Sequence, residues 1–388
     1  VDAWSMRNWE RGSDSGHDHF FATFDKFLLA TLNHAGDSIA DAASQAAHDH
    51  LQYVELMYTA DGMQSAGLGA KTGWDADFPK FREKLLAGGL KEIVASTRTD
   101  LDISETRMHS RLKCGTAQAN PACNVTVRYL YQVLRGLPPE QVFAQIVTGF
   151  ELAQSDPRVV GLNLVMPEDW YVPMHDFDLH MRMLDYLHGV YPRVHISLHA
   201  GELAMGLVPP DGLRFHIRES IERGHAERIG HGASVMNEDR AIDLLHEMAS
   251  KNILVEICLT SNDSILGVKD NDHPFPVYLH YGVPVTLATD DEGVSRSDLT
   301  RDYVRAVESY GLSYFELKRL ARQSLEHSFL PGASLWADGQ HFRPVADCAS
   351  GNSDVTVPAI CQKFLDSSDR ARLQRQLEQE FASFEKKF

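Results

Sequence analysis

The sequence predicts an α/β fold with a parallel sheet, a TIM-type (β/α)8 barrel, on three observations. Short β-rich runs alternate with longer segments of helical periodicity, and strands separated by helices imply right-handed crossovers and parallel pairing. The runs are apolar on both faces, as expected of strands covered on both sides. Polar and titratable residues (His199, His231, Ser261 and Asp290) gather where the runs end, and a barrel of this kind keeps its site at the C-terminal ends of its strands. A doubly wound sheet also binds ligands there. No GxGxxG follows the first run, however, which weakens a dinucleotide reading.

The strand candidates in chain order are YVELMY (53–58), NVTVRYLY (124–131), VVGLNLV (159–165), HISLHA (195–200), ERIGHG (227–232), ILVEICL (253–259) and PVTLATD (284–290). Between them, segments such as PEQVFAQIVTGFELAQS and EDRAIDLLHEMASKN place apolar residues at helical spacing. Before Tyr53, HDHFFATFDKFLLATLNHA reads as a helix that Ser15 or Asp18 can cap, followed by a second helix in SIADAASQAAHDHLQ. The final LQRQLEQEFASFEKKF reads as a charged amphipathic closing helix. Seven strands are visible where such a barrel has eight, so the remaining strand is expected before Val1. The chain is read as one domain, with helices over 1–52, strands two to eight over 53–330 and an extension over 331–388.

Composition narrows the function. Of 388 residues, 43% are hydrophobic and 23% charged, the profile of a globular protein with a large core. A net charge of −17 leaves no basic stripe for phosphates, which argues against a nucleic-acid partner. No apolar run approaches the roughly 18–20 residues of a membrane span. Cys114 and Cys123 flank one polar loop, Cys348 and Cys361 another, and Cys258 lies inside an apolar run. Two loop-closing pairs suit a periplasmic or secreted protein; five reduced thiols in a cytoplasmic enzyme are the alternative.

Three strand ends carry the chemistry. SLHAGE sets His199 at a strand end with Glu202 three residues on; an imidazole can hold zinc and a carboxyl can move protons. RIGHG puts His231 between glycines, where the backbone can turn and expose the ring. TLATDDEG ends an apolar run in Asp290 and Asp291, one suited to a metal and its neighbour to a ligand. Each alone could be a turn or a helix cap, but three in order with the same polarity are far more specific.

HISLHAGE, RIGHG, VEICLTSN and TLATDDEG, in this order, resemble the signature segments of the adenosine/AMP deaminase family of amidohydrolase barrels. The likeness covers roughly residues 4–330, and MRNW, FFATFDKF and NVTVRY look most like the secreted, growth-factor-type members and their long bacterial relatives. The resemblance implies hydrolytic deamination of adenosine or a related purine nucleoside by a water that one Zn2+ per site activates. His199 and Asp290 would be zinc ligands. Glu202 would pass a proton to purine N1, His231 would orient and deprotonate the water, Asp291 would bind the purine at N7, and Ser261 would support the metal. Zinc lowers the pKa of a bound water to about 7, and Glu202 must be protonated to donate, so a raised pKa is expected. AMP, adenine or a modified adenosine are alternative substrates, as is a metal-poor nucleoside-binding or signalling protein on the same fold.

Two positions depart from that family. Where its members have a glycine turn whose amide meets purine N3, this chain has Met166 in GLNLVMPEDW. The family also takes two more zinc ligands from a His-x-His pair on its first strand. His17-x-His19 has that spacing, but its lead-in RGSDSG is a polar loop and its sequel is helical. These histidines are therefore read as the start of a lid helix, with Phe20 and Phe24 one turn apart over the nucleoside. The zinc-binding pair is expected on the strand before Val1. A purine nucleoside is the expected partner; a homo-oligomer and an upstream segment carrying the first strand are compatible with the sequence.

Overall fold

The computed structural model describes residues 4–31, 33–349 and 357–388. Two compact units divide the chain, Val1–Gly311 and Leu312–Phe388. The first is built on seven strands: β1 (Tyr53–Tyr58), β2 (Thr126–Leu134), β3 (Val159–Val165), β4 (His195–Ala200), β5 (Arg228–His231), β6 (Leu254–Ile257) and β7 (Val285–Leu287). Each pairs in parallel with the next in chain order. Among the described residues β1 and β7 are the edges of the sheet.

The sheet curls, and one side-chain cluster shows it. Arg228 at the start of β5 lies 2.6 Å from Glu55 of β1 and 2.8 Å from Glu256 of β6. Strands four places apart can touch only if the inner face closes on itself. Tyr53 donates a hydrogen bond to Glu55 at 2.7 Å in the same layer. The arginine and Glu55 side chains are each 7% exposed, so the two charges need one another to stay buried.

Sequence periodicity located all seven strands of this sheet, with shifts at the ends. β2 starts later than its apolar run because Pro121–Asn124 closes into a 3-10 turn. The run ILVEICL is divided: β6 stops at Ile257 and a helix begins at Leu259. A short apolar run cannot by itself separate a buried strand from the start of a buried helix. The predicted N-terminal helix is two, Gly16–Phe21 and Phe24–Thr31. Ser15 caps the first by accepting from the Asp18 amide. At the break, the Thr23 hydroxyl donates to the Phe20 carbonyl at 2.7 Å, competing with the helical ladder.

In the second unit, a helix over Tyr314–Glu326 starts with a Ser313–Glu316 capping box. A small antiparallel hairpin, β8 (Trp336–Asp338) and β9 (Arg343–Pro344), follows. Two helices, Ala359–Asp366 and Asp369–Glu385, close the chain. Disulfides join Cys114 to Cys123 and Cys348 to Cys361, and Cys258 is a buried free thiol, the expected pairing.

Candidate active site

Four strand ends turn through the left-handed region: Met166 after β3 (φ 93°), Gly201 after β4 (φ 72°), His231 and Gly232 at β5 (φ 71° and 59°), and Asp290 after β7 (φ 56°). Three of these residues have side chains, and a left-handed L-residue costs roughly 1–2 kcal/mol. The turns aim the last side chain of each strand across the mouth of the sheet instead of along it. Gly232 has no alternative, because a Cβ there would stand 2.5 Å from the Tyr278 hydroxyl oxygen.

His199, His231 and Asp290 converge. Their ligand atoms lie within 4.8 Å of one another, and among the described residues they form the one such group able to surround an ion. Asn163 of β3 sets the His199 ring. Its Oδ1 accepts the His199 backbone amide at 3.1 Å and lies 2.9 Å from Nδ1. An oxygen that already accepts a main-chain N–H can only accept again, so Nδ1 carries the proton and Nε2 keeps its lone pair. Burial, then His231 and Arg135, hold the ring well below its ordinary pKa, in the neutral form a metal requires. Ser261 donates to Asp290 Oδ2 at 2.6 Å. The donor set therefore suits a borderline ion such as zinc.

Glu202 stands beside this group, its Oε1 3.6 Å from His231 Nε2. It is 8% exposed. Burial, then the Asp290 and Glu168 carboxyls, push its pKa well above the ordinary value, the direction that favours the protonated form. Burial and Asp290 raise Asp291 in the same direction. Two carboxyls with raised pKa thus border one cluster of nitrogen and oxygen donors, an arrangement suited to handing protons to a nitrogenous ring.

Glu168 fixes the backbone from which Glu202 projects. Its two oxygens accept the Gly201 and Glu202 amides at 3.0 and 2.8 Å, and His216 Nδ1 also bonds to it. Arg135, at the end of β2, donates to the His199 and Met166 carbonyls at 3.1 and 3.3 Å. Sequence reasoning missed Asn163, Glu168 and Arg135. A signal existed for Asn163, an amide inside the apolar run VVGLNLV, since a buried polar group requires partners. Glu168 and Arg135 offered none beyond their places at strand ends.

His17 and His19 lie apart from the group. His17 is 2.9 Å from both Asp18 and Asp169, while His19 reaches Asp14 at 3.1 Å and the Ser5 carbonyl at 3.2 Å. All four ring nitrogens are engaged by protein atoms. Phe20 is 1% exposed inside a satellite cluster with Met6, Ile265 and Val294, and Phe24 packs partly buried against it. The Met166 thioether sulfur accepts the Gly136 amide at 3.2 Å.

A family model described as "Adenosine deaminase" matches residues 8–335. Over 137 residues the chain is 38% identical to adenosine deaminase of Escherichia coli O1:K1 / APEC, which covers 35% of this chain and 38% of that protein. The chain thus matches well under half the length of such curated relatives. The N6-methyl-AMP deaminase of Arabidopsis thaliana superposes with a TM-score of 0.55 at 22% identity, over 81% of this chain and 79% of that one. An amidohydrolase from Burkhoderia ambifaria, solved with bound Zn, does so with a TM-score of 0.55 at 15% identity, over 84% and 79%. Likenesses at these identities establish the α/β barrel fold.

Proposed function

Because this chain belongs to the adenosine deaminase family, we propose that its strand-end site replaces the 6-amino group of a purine nucleoside by oxygen, with water as the other substrate and ammonia as the second product. The observation that carries this reading is the buried Glu202 beside the His199, His231 and Asp290 group, 3.6 Å from His231 Nε2 and with its pKa raised by burial. His199 and Asp290 would hold a zinc ion. Bound there, zinc would supply a water that is nucleophilic near neutral pH.

The chain's own residues do the rest. Glu202 gives its proton to N1 as C6 becomes tetrahedral, so negative charge does not build up on the ring. Asp291 hydrogen-bonds N7, and the Met166 backbone faces N3. His231 orients the attacking oxygen, and Ser261 holds the Asp290 carboxylate. Tight main-chain anchoring by Glu168 keeps the Glu202 carboxyl in place.

The side chains at the mouth favour a neutral nucleoside over a nucleotide. Strand-end turns carry carboxyl groups, Glu168, Asp169, Glu202, Asp290 and Asp291, and Arg135 is committed to two carbonyls, so no free cation among them faces a phosphate. Arg214, which follows the Pro210–Leu213 turn after β4, is 2.6 Å from Asp239. A 5′-phosphate would find no bidentate partner there. The two disulfides support an oxidising compartment.

The test is the loss of purine absorbance for adenosine, AMP, adenine and N6-methyl-AMP, using protein of measured zinc content. Zinc-dependent turnover with kcat/KM highest for adenosine supports the reading. Preference for AMP would overturn the substrate assignment, and nucleoside binding without ammonia release would overturn the enzyme.

A further inference from the structure

His231, Asn262 and His273 form one continuous run of hydrogen bonds whose direction is fixed at its far end. The Phe275 backbone amide donates to His273 Nδ1 at 3.1 Å. A main-chain N–H can only donate, so His273 Nδ1 is an acceptor and carries no proton. Burial lowers the pKa of His273 to about 4, so the ring is neutral and its proton sits on Nε2. That nitrogen is 3.0 Å from Asn262 Oδ1, and donation to it leaves the Asn262 amide nitrogen facing His231. Asn262 Nδ2 lies 3.0 Å from His231 Nδ1 and has only protons to offer. His231 Nδ1 must then accept, and the proton of a neutral His231 must sit on Nε2, the nitrogen that faces Glu202.

The reverse arrangement fails. Turning the Asn262 amide over would place its NH2 against His273 Nε2, which would then have to accept. The His273 proton would move to Nδ1, where it would meet the Phe275 N–H with two donors face to face. All three side chains are buried, at 0–2% exposure, so a mismatched donor would have no water to turn to and would cost roughly 1–3 kcal/mol.

We propose that Asn262 and His273 are positioning residues that lock His231 in the Nε2-protonated tautomer, so that it serves the site as a hydrogen-bond donor and neither ligates the metal nor takes up a proton. This deepens the deaminase reading and rests on it for the reaction, but the tautomer can be read without any reaction. It also narrows the three-residue ion group, leaving His199 and Asp290 as the residues with free lone pairs. The role implied by resemblance alone, in which His231 deprotonates the water, changes to one of holding the attacking oxygen by donation.

The experiment is long-range proton–nitrogen NMR on the full chain with 15N-labelled histidine, metal-free and zinc-loaded, with the His231 signals assigned by their loss in His231→Gln. The expected wild-type result is a protonated Nε2 and a bare Nδ1 in both states. Asn262→Asp keeps the shape but turns the donor towards His231 into an acceptor. It should move the proton to Nδ1 and lower kcat about 10- to 100-fold with little change in KM. His273→Phe frees the Asn262 amide to turn and should give a mixture of tautomers. A wild-type His231 protonated on Nδ1, or an Asn262→Asp tautomer unchanged from wild type, would overturn the proposal. A wild type with the expected tautomer but no deaminase activity would instead sink the functional reading and leave the relay standing.

Discussion

Replacing Glu168 by Ala should destabilise the first unit by about 3–5 kcal/mol, although the residue touches no substrate in the proposed reaction. The magnitude follows from its surroundings. Burial works to raise the Glu168 carboxyl, but the His216 ring, Arg135 and the Gly201 amide overcome it and hold the pKa at about 2, against an ordinary 4.5. At about 1.4 kcal/mol per pK unit, that difference contributes about 3 kcal/mol at neutral pH. A count of bonds gives a similar size. The variant orphans the buried Gly201 and Glu202 amides, at about 1–3 kcal/mol each. A depressed carboxyl stabilises the fold above the ordinary carboxyl range, and its contribution is lost as pH falls through the folded value. Urea unfolding followed by circular dichroism, fitted as separate transitions for the two units, should therefore show the full gap between wild type and variant near neutral pH. The gap should narrow as pH falls from 4.5 towards about 2. Glu168→Gln retains one acceptor oxygen and should lose about 2 kcal/mol with a flatter pH dependence. A Glu168→Ala loss below about 1 kcal/mol, or a gap that widens in acid, would refute this account of the site's scaffold.

Glu202→Gln removes the proposed proton donor without changing shape, and should lower kcat about 10²- to 10⁴-fold while the unfolding midpoint stays within error. His17 is partly buried, which lowers its pKa, but hydrogen bonds to Asp169 and Asp18 outweigh that and raise it above 6.5. Its contribution to docking the first helix is full below the ordinary value and is lost as pH rises through the raised one; amide exchange over residues 16–21 should speed up with pH beyond its intrinsic rate, and His17→Ala should abolish the excess. Opening either disulfide by Cys→Ser substitution should cost about 2–3 kcal/mol by the loop-entropy estimate, given sequence separations of 9 and 13 residues, read as a fall in melting temperature. Equal melting with and without reductant would count against both bridges.

Much of this was legible in the chain because it depends on local pattern. The alternation of short β-rich runs with helical periodicity located all seven strands of the sheet, and VVGLNLV forms a strand over that span with every residue buried. The convergence of His199, His231 and Asp290 was legible because parallel strands joined by helices all point one way, so equivalent strand ends must meet at one mouth. The polar lead-in to His17 marked that pair as a helix start, and the structure puts both rings against aspartates and a carbonyl rather than the ion group.

By itself, then, the sequence determined the strand order and which strand ends carry titratable residues, and it offered the two cysteine pairs with five reduced thiols as the alternative, since each follows from periodicity or from residue types a few positions apart. Only the tertiary structure decided what those residues are. That Asn163 gives His199 its tautomer, that Glu168 clamps the turn under Glu202, and that His273 reaches His231 through Asn262 are contacts between residues 11 to 36 positions apart. Hydrogen-bond direction and pKa are properties of the enclosure a side chain enters, and that enclosure exists only once the sheet has curled.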